Sequence, residues 1–149
     1  MSRDSEGPLL GALLRICHAE VQTALDDGFA RAGYPRLHGA ATQPLWDAPD
    51  GLRLTELAQI AGVSKQAMAE MVDAMVEAGY VERVADPADG RARRLRLTRR
   101  GREAGVFARK LVREVEARWE TRVGVRRVVE LRDTLRAITG SRDGSRRRS

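Results

Sequence analysis

The chain has 149 residues, 42% of them hydrophobic but only 4% aromatic, with 27 basic against 21 acidic side chains and a net charge of +6. That length suits one compact domain, and the scarcity of rings argues against base stacking on single strands and against a large aromatic-lined cofactor pocket. No apolar run reaches the roughly 18 residues of a membrane span, residues 1–7 hold no signal-type stretch, and neither a Gly-rich phosphate loop nor a nucleophile motif occurs, so the expectation is a cytoplasmic protein that is not an enzyme, with no cofactor and no membrane partner.

Leu10, Leu13, Leu14, Cys17, Val21, Leu25 and Phe29 recur at helical spacing and predict a helix over residues 8–32, with Pro8 in its first turn and Gly33 as its stop. Cys17 is the single cysteine, so no internal disulfide forms. On the apolar stripe it reads as a small hydrophobe before it reads as a redox sensor, and with only His18 and His38 beside it a metal site is short of ligands. A weaker helix over residues 35–45, with Pro44 in its last turn, ends near Trp46 and the turn-forming residues 47–51.

Residues 54–83, LTELAQIAGVSKQAMAEMVDAMVEAGYVER, are the most informative stretch. A short helix runs to Ala61, Gly62 supplies a left-handed reversal, and Ser64 caps a second helix. Met68, Met71, Val72 and Met75 put one face of that second helix in the core, and Gly79 stops it. Two short helices joined through a glycine make a helix-turn-helix, whose second helix enters a major groove. Its first turn offers Ser64, Lys65 and Gln66 to base edges or phosphates, Ala67 and Ala69 to thymine methyls, and Glu70 to a cytosine amino group.

Beyond Gly79 the period changes to two. Residues 80–84 and 92–97 predict strands around the turn formers of residues 86–91, a hairpin with Leu95 and Leu97 on one face and Arg94 and Arg96 on the other. The charge concentrates here: residues 1–90 hold 7 basic and 14 acidic side chains, residues 91–149 hold 20 and 7, and seven arginines fall between Arg91 and Arg102. Such a cluster attracts polyanions, and Arg91, Arg93 and Arg94 are its candidates for DNA contact. Thr98 then caps a long helix over residues 99–123, Gly124 interrupts, and a last helix covers residues 125–138. The outer helices carry more apolar stripe than one small core needs, which predicts a partner chain; residues 140–149 read as a disordered basic tail.

The order of elements, the stretch ELAQIAGVSKQAMAEMVDAMVEAGYVER, the turn DPADGR at residues 86–91 and RLRLTRRGRE at residues 94–103 together resemble the MarR family of transcriptional regulators. The resemblance implies a mainly α fold with a small β-hairpin wing: a winged helix-turn-helix over residues 35–97, between dimerisation helices at residues 8–33 and 99–138. It implies a homodimer on a near-palindromic double-stranded operator, usually a repressor, with Arg91 reaching the minor groove and Asp89 steadying it. Gly90 departs from the pattern, standing where a second cation is often found. An apolar or aromatic acid wedged in a crevice lined by Leu14, His18, His38 and Trp46 is the expected effector. The competing expectation is an architectural DNA-binding protein with little sequence preference and no effector.

Overall fold

The computed structural model describes residues 7–140, ordered as α1 (Leu10–Arg31), α2 (Gly39–Trp46), α3 (Leu54–Ala61), α4 (Lys65–Glu77), β1 (Val81–Asp86), β2 (Asp89–Leu97), α5 (Arg99–Val123) and α6 (Val125–Thr139). The expected tail, apart from Gly140, lies outside the described residues. The chain divides into two compact units, Met1–Val112 and Arg113–Ser149. No helix among the described residues is long and apolar enough to cross a membrane.

In the first unit, Phe29, Leu45, Leu57, Met68, Val72, Met75, Tyr80, Val81, Leu95 and Leu97 form one buried cluster drawn from every element up to β2, and Leu111 of α5 joins it. The helix-turn-helix forms for the local reasons its sequence suggests. Gly62 sits at φ 66° and ψ 31°, a left-handed conformation that closes α3 without the steric penalty a side chain brings. Ser64 Oγ accepts the Ala67 backbone N–H at 3.1 Å and caps α4. At the start of α3 the Arg53 backbone N–H donates to Glu56 Oε2 at 2.7 Å, half of a capping box.

The second expected helix begins later than periodicity suggests: residues 35–38 form no regular element, His38 is extended at φ −88° and ψ 99°, and Tyr80 Oη donates to the Pro35 carbonyl at 2.8 Å. The hairpin is longer than expected. Pairing continues past Val84↔Arg94 to Asp86↔Asp89, so the turn shrinks to Pro87 and Ala88, with an irregularity between Ala85 and Asp86. Leu52 adds a single antiparallel bridge to Leu95 on the free edge of β2, through hydrogen bonds of 3.0 and 2.7 Å. At the end of β2, Thr98 Oγ1 donates to the Gly79 carbonyl at 2.6 Å and accepts the Gly101 N–H at 3.0 Å, capping α5. A Cβ at Gly101 would lie 2.0 Å from the Tyr80 carbonyl oxygen, so only glycine lets α5 start this close to the hairpin.

Along α1 only Gly28 and Phe29 are buried, while Leu10, Leu13, Leu14 and Ile16 are exposed. Cys17, expected on the apolar stripe, is also exposed. The second unit comprises the rear of α5 and α6. Val115 and Val128 are buried in it, Arg132 Nη2 donates to Glu116 Oε2 at 2.9 Å, and Val123, Val125, Val129, Leu131 and Ile138 stay exposed.

Candidate nucleic-acid interface

The outer face of α4 follows from its inner one. With Met68, Val72 and Met75 buried, the helical period leaves Lys65, Gln66, Glu70 and Asp73 exposed, with Ala67 and Ala69 half-buried beside them. Ser64 is exposed, but its hydroxyl is already committed to the cap, which leaves Lys65 and Gln66 as the polar groups of the first turn. The acidity of the helix is partly cancelled, since Asp73 accepts an ion-paired hydrogen bond from Arg83 of β1.

The arginine cluster looks different in three dimensions. Arg96 pairs with Glu82 at 2.7 Å, Arg99 pairs with Glu103 at 3.0 Å, Arg100 lies 5.6 Å over the Tyr80 ring, and Arg102 lies 6.0 Å from that of Trp46. Arg94, expected at the DNA, is turned inward: its Nη1 donates to the Gly51 carbonyl at 3.0 Å and its Nε lies 3.3 Å from Asp86 Oδ2, in ion-pair contact without hydrogen-bond geometry. The alternation of faces along β2 is as expected, with Arg96 exposed on the face opposite Leu95, but the chain entering α3 runs along the edge of β2 and its Gly51 carbonyl takes up Arg94. Arg91 and Arg93 remain exposed with no ion-pair partner among the described residues. Asp89 Oδ1 accepts the Arg91 backbone N–H at 3.0 Å, so the carboxylate steadies the backbone that presents Arg91.

Asp86 is the residue that sequence reasoning passed over as one turn former among several. Its side chain is fully buried; Arg53 Nη2 reaches its Oδ2 at 2.7 Å and Arg53 Nε at 2.8 Å, while the Ala88 N–H donates to Oδ1 at 2.9 Å. The Ala88 N–H, then the Arg53 guanidinium and the charge of Arg94, hold its carboxyl down from 3.8 to about 2, against a desolvation that pushes the other way.

The four residues expected to line an effector crevice separate. His18 of α1 and His38 ahead of α2 share a cleft of about 690 Å³ with Gln22, Leu37, Gln43 and Met71. Burial, and next the charge of Arg36, lower the His38 pKa, while Asp26 opposes the shift, so the imidazole stays neutral at pH 7. Leu14 and Trp46 do not line that cleft. Leu14 is exposed one turn before His18, and the Trp46 ring is occupied by Arg109, whose guanidinium carbon lies 4.0 Å from its centroid. A smaller cavity of about 140 Å³ lies among Tyr34, Tyr80, Arg100 and Phe107.

Comparison with known proteins agrees with this geometry. The MarR family model matches residues 47–92, the segment from the end of α2 through α3 and α4 into β2. A search of curated proteins gives no match. Among solved structures, the transcriptional repressor CouR bound to a 23-mer DNA duplex, a protein known from Rhodococcus jostii, is 27% identical with a TM-score of 0.71, over 88% of this chain and 92% of that one. A MarR-family protein of Mycobacterium tuberculosis in complex with salicylic acid is 28% identical with a TM-score of 0.67, over 89% of this chain and 98% of that one. Reduced MarR of Escherichia coli, at 21% identity, shares the fold with a TM-score of 0.76, over 90% of this chain and 98% of that one. With residues 47–92 matching the family's own model, and its outer helices following in the order of those structures, the chain is similar to MarR-family winged helix-turn-helix transcriptional regulators and shares their fold.

Proposed function

We propose that this protein is a sequence-specific regulator of transcription, without catalytic activity, that acts in the cytoplasm as a homodimer on a near-palindromic operator and represses until a ligand releases it. The observation that carries the reading is the pairing of two exposed features on one unit: the first turn of α4, with Lys65 and Gln66 outward, and a wing whose Arg91 and Arg93 have no ion-pair partner among the described residues. Gln66 suits adenine, Lys65 guanine or phosphate, and Arg91 a minor groove or the phosphates that flank it. The DNA complex of CouR and the salicylic acid complex of the mycobacterial protein support a DNA-binding, ligand-responsive role.

Dimerisation is supported by the exposed leucines and isoleucines of α1 and α6, too many for a protein that stays a monomer. The ligand reading rests on the cleft beside His18 and His38, where Leu37, Ile60 and Met71 offer apolar surface and Arg36 a charge that suits an apolar or aromatic acid, with Asp47 also on the lining. A ligand that prefers the non-binding conformation by about 2.7 kcal/mol weakens DNA binding about a hundredfold.

The test compares, at fixed salt, a duplex that the protein enriches from a random pool with a scrambled duplex of the same composition. A preference of about a thousandfold or more is expected. Equal affinities would overturn sequence-specific regulation and leave the architectural reading. A panel of small aromatic acids then tests release, with His38→Ala as the variant expected to resist it.

A further inference from the structure

Asp86 joins three parts of the chain that periodicity cannot relate. It belongs to the turn of the wing through the Ala88 N–H, to the start of the helix-turn-helix through Arg53, and to the returning strand through Arg94, which also holds the Gly51 carbonyl. Beyond the Leu52–Leu95 bridge, these are the side-chain hydrogen bonds and ion pairs that tie the outer part of the hairpin to the segment entering α3. Arg91, two residues past the paired Asp89, has its direction set by that turn.

We infer that Asp86 is a positioning residue for DNA binding, holding the wing at a fixed angle to α4, and that Arg53 and Arg94 act on DNA affinity through Asp86 and not by touching phosphate. The inference rests on the DNA-binding function proposed above. The low pKa of the buried carboxyl agrees with it, because a carboxylate that stays ionised keeps both guanidinium groups engaged at any pH at which DNA is bound.

Charge arithmetic alone predicts the opposite outcome, which makes the inference testable. Removing an acid close to a DNA-facing surface, and releasing two arginines, should tighten binding and steepen its salt dependence if only charge matters. A positioning role predicts that Asp86→Asn, which keeps the shape and the acceptor for Ala88, weakens binding instead.

The experiment measures affinity of the full chain for its enriched duplex from 50 to 300 mM KCl, for wild type, Asp86→Asn, Arg94→Gln, the two combined, and Arg91→Ala, with a thermal melt of each to establish folding. We expect Asp86→Asn and Arg94→Gln each to lose about tenfold or more with an unchanged salt slope, and the double variant to lose no more than either single one. Arg91→Ala, a direct contact, should flatten the slope by about one phosphate's worth per protomer. Tighter or unaltered binding by Asp86→Asn would overturn the inference. So would a flatter slope in Arg94→Gln, which carries the test by itself if Asp86→Asn does not fold. If the wild type enriches no duplex, the DNA-binding function fails first, an outcome distinct from wild-type binding with the wrong response in the variants.

Discussion

Between Gly51 and Thr98 the side chains that the sequence pattern turns inward find partners within the same chain, whereas along α1 and α6 many of them do not. Leu57, Met68, Val72, Met75, Leu95 and Leu97 are all buried, but Leu10, Leu13, Leu14, Leu131 and Ile138, placed by helical spacing, face outward. The first region closes its core within the chain, with Phe29, Leu45 and Leu111 from the flanking helices. The outer helices are amphipathic surfaces whose cover must come from elsewhere, and a second copy of the chain is the economical source. The difference teaches that periodicity identifies an apolar face reliably and says nothing of what will cover it.

The largest effect should come from charging the uncovered face. Leu131→Glu places a carboxylate in the proposed seam and is expected to cost about 4 kcal/mol of dimer stability, read by sedimentation at micromolar concentration as a shift to monomer. A wild-type protein that already sediments as a monomer would break the comparison. Truncation in the first region should act on folding instead. Met68→Ala, at a fully buried position, is expected to lower unfolding stability by about 2–5 kcal/mol in urea titrations while leaving the association of the folded fraction unchanged.

Acid should sharpen the comparison within the wing. Because the Asp86 pKa falls from 3.8 unfolded to about 2 folded, its contribution to stability is complete above the unfolded value and is lost as pH falls through about 2. Urea midpoints of the wild type should therefore drop faster between pH 4 and pH 2 than those of Asp86→Asn, and parallel curves would deny the carboxylate its role. The smallest effect belongs to the cap of α4: Ser64→Ala removes the acceptor for the Ala67 N–H and should cost about 1 kcal/mol in the same titration.

What the sequence made legible was local. The Gly62 reversal, the Ser64 cap, the Met68–Met75 stripe and the Thr98 cap on the Gly101 N–H all depend on residues within a few positions of each other. What stayed hidden depends on pairs far apart in the chain. Arg53 and Asp86 are separated by 33 positions, and nothing in a turn-rich segment distinguishes the one aspartate that will be buried from its exposed neighbour Asp89. Arg94 was placed on the correct face of β2, but the bridge at Leu52 that covers this edge has no periodicity of its own. Seven clustered arginines promised a broad basic surface, and folding turned most of them to internal acids and rings, leaving Arg91 and Arg93 free among the described residues. In the cleft, the pair His18 and His38 came together, while Trp46 went to Arg109, a partner on a helix more than sixty residues further along the chain.

Selection of duplexes from a random pool by the wild-type chain, read by sequencing, tests the central claim most directly. A dimer presenting two copies of α4 should enrich an inverted repeat whose half-site centres lie about one helical turn, roughly 34 Å, apart, and Lys65→Ala with Gln66→Ala should change the preferred bases at matching positions of both half-sites. Recovery of no common sequence, or of a single unrepeated site unaffected by those substitutions, would contradict the account.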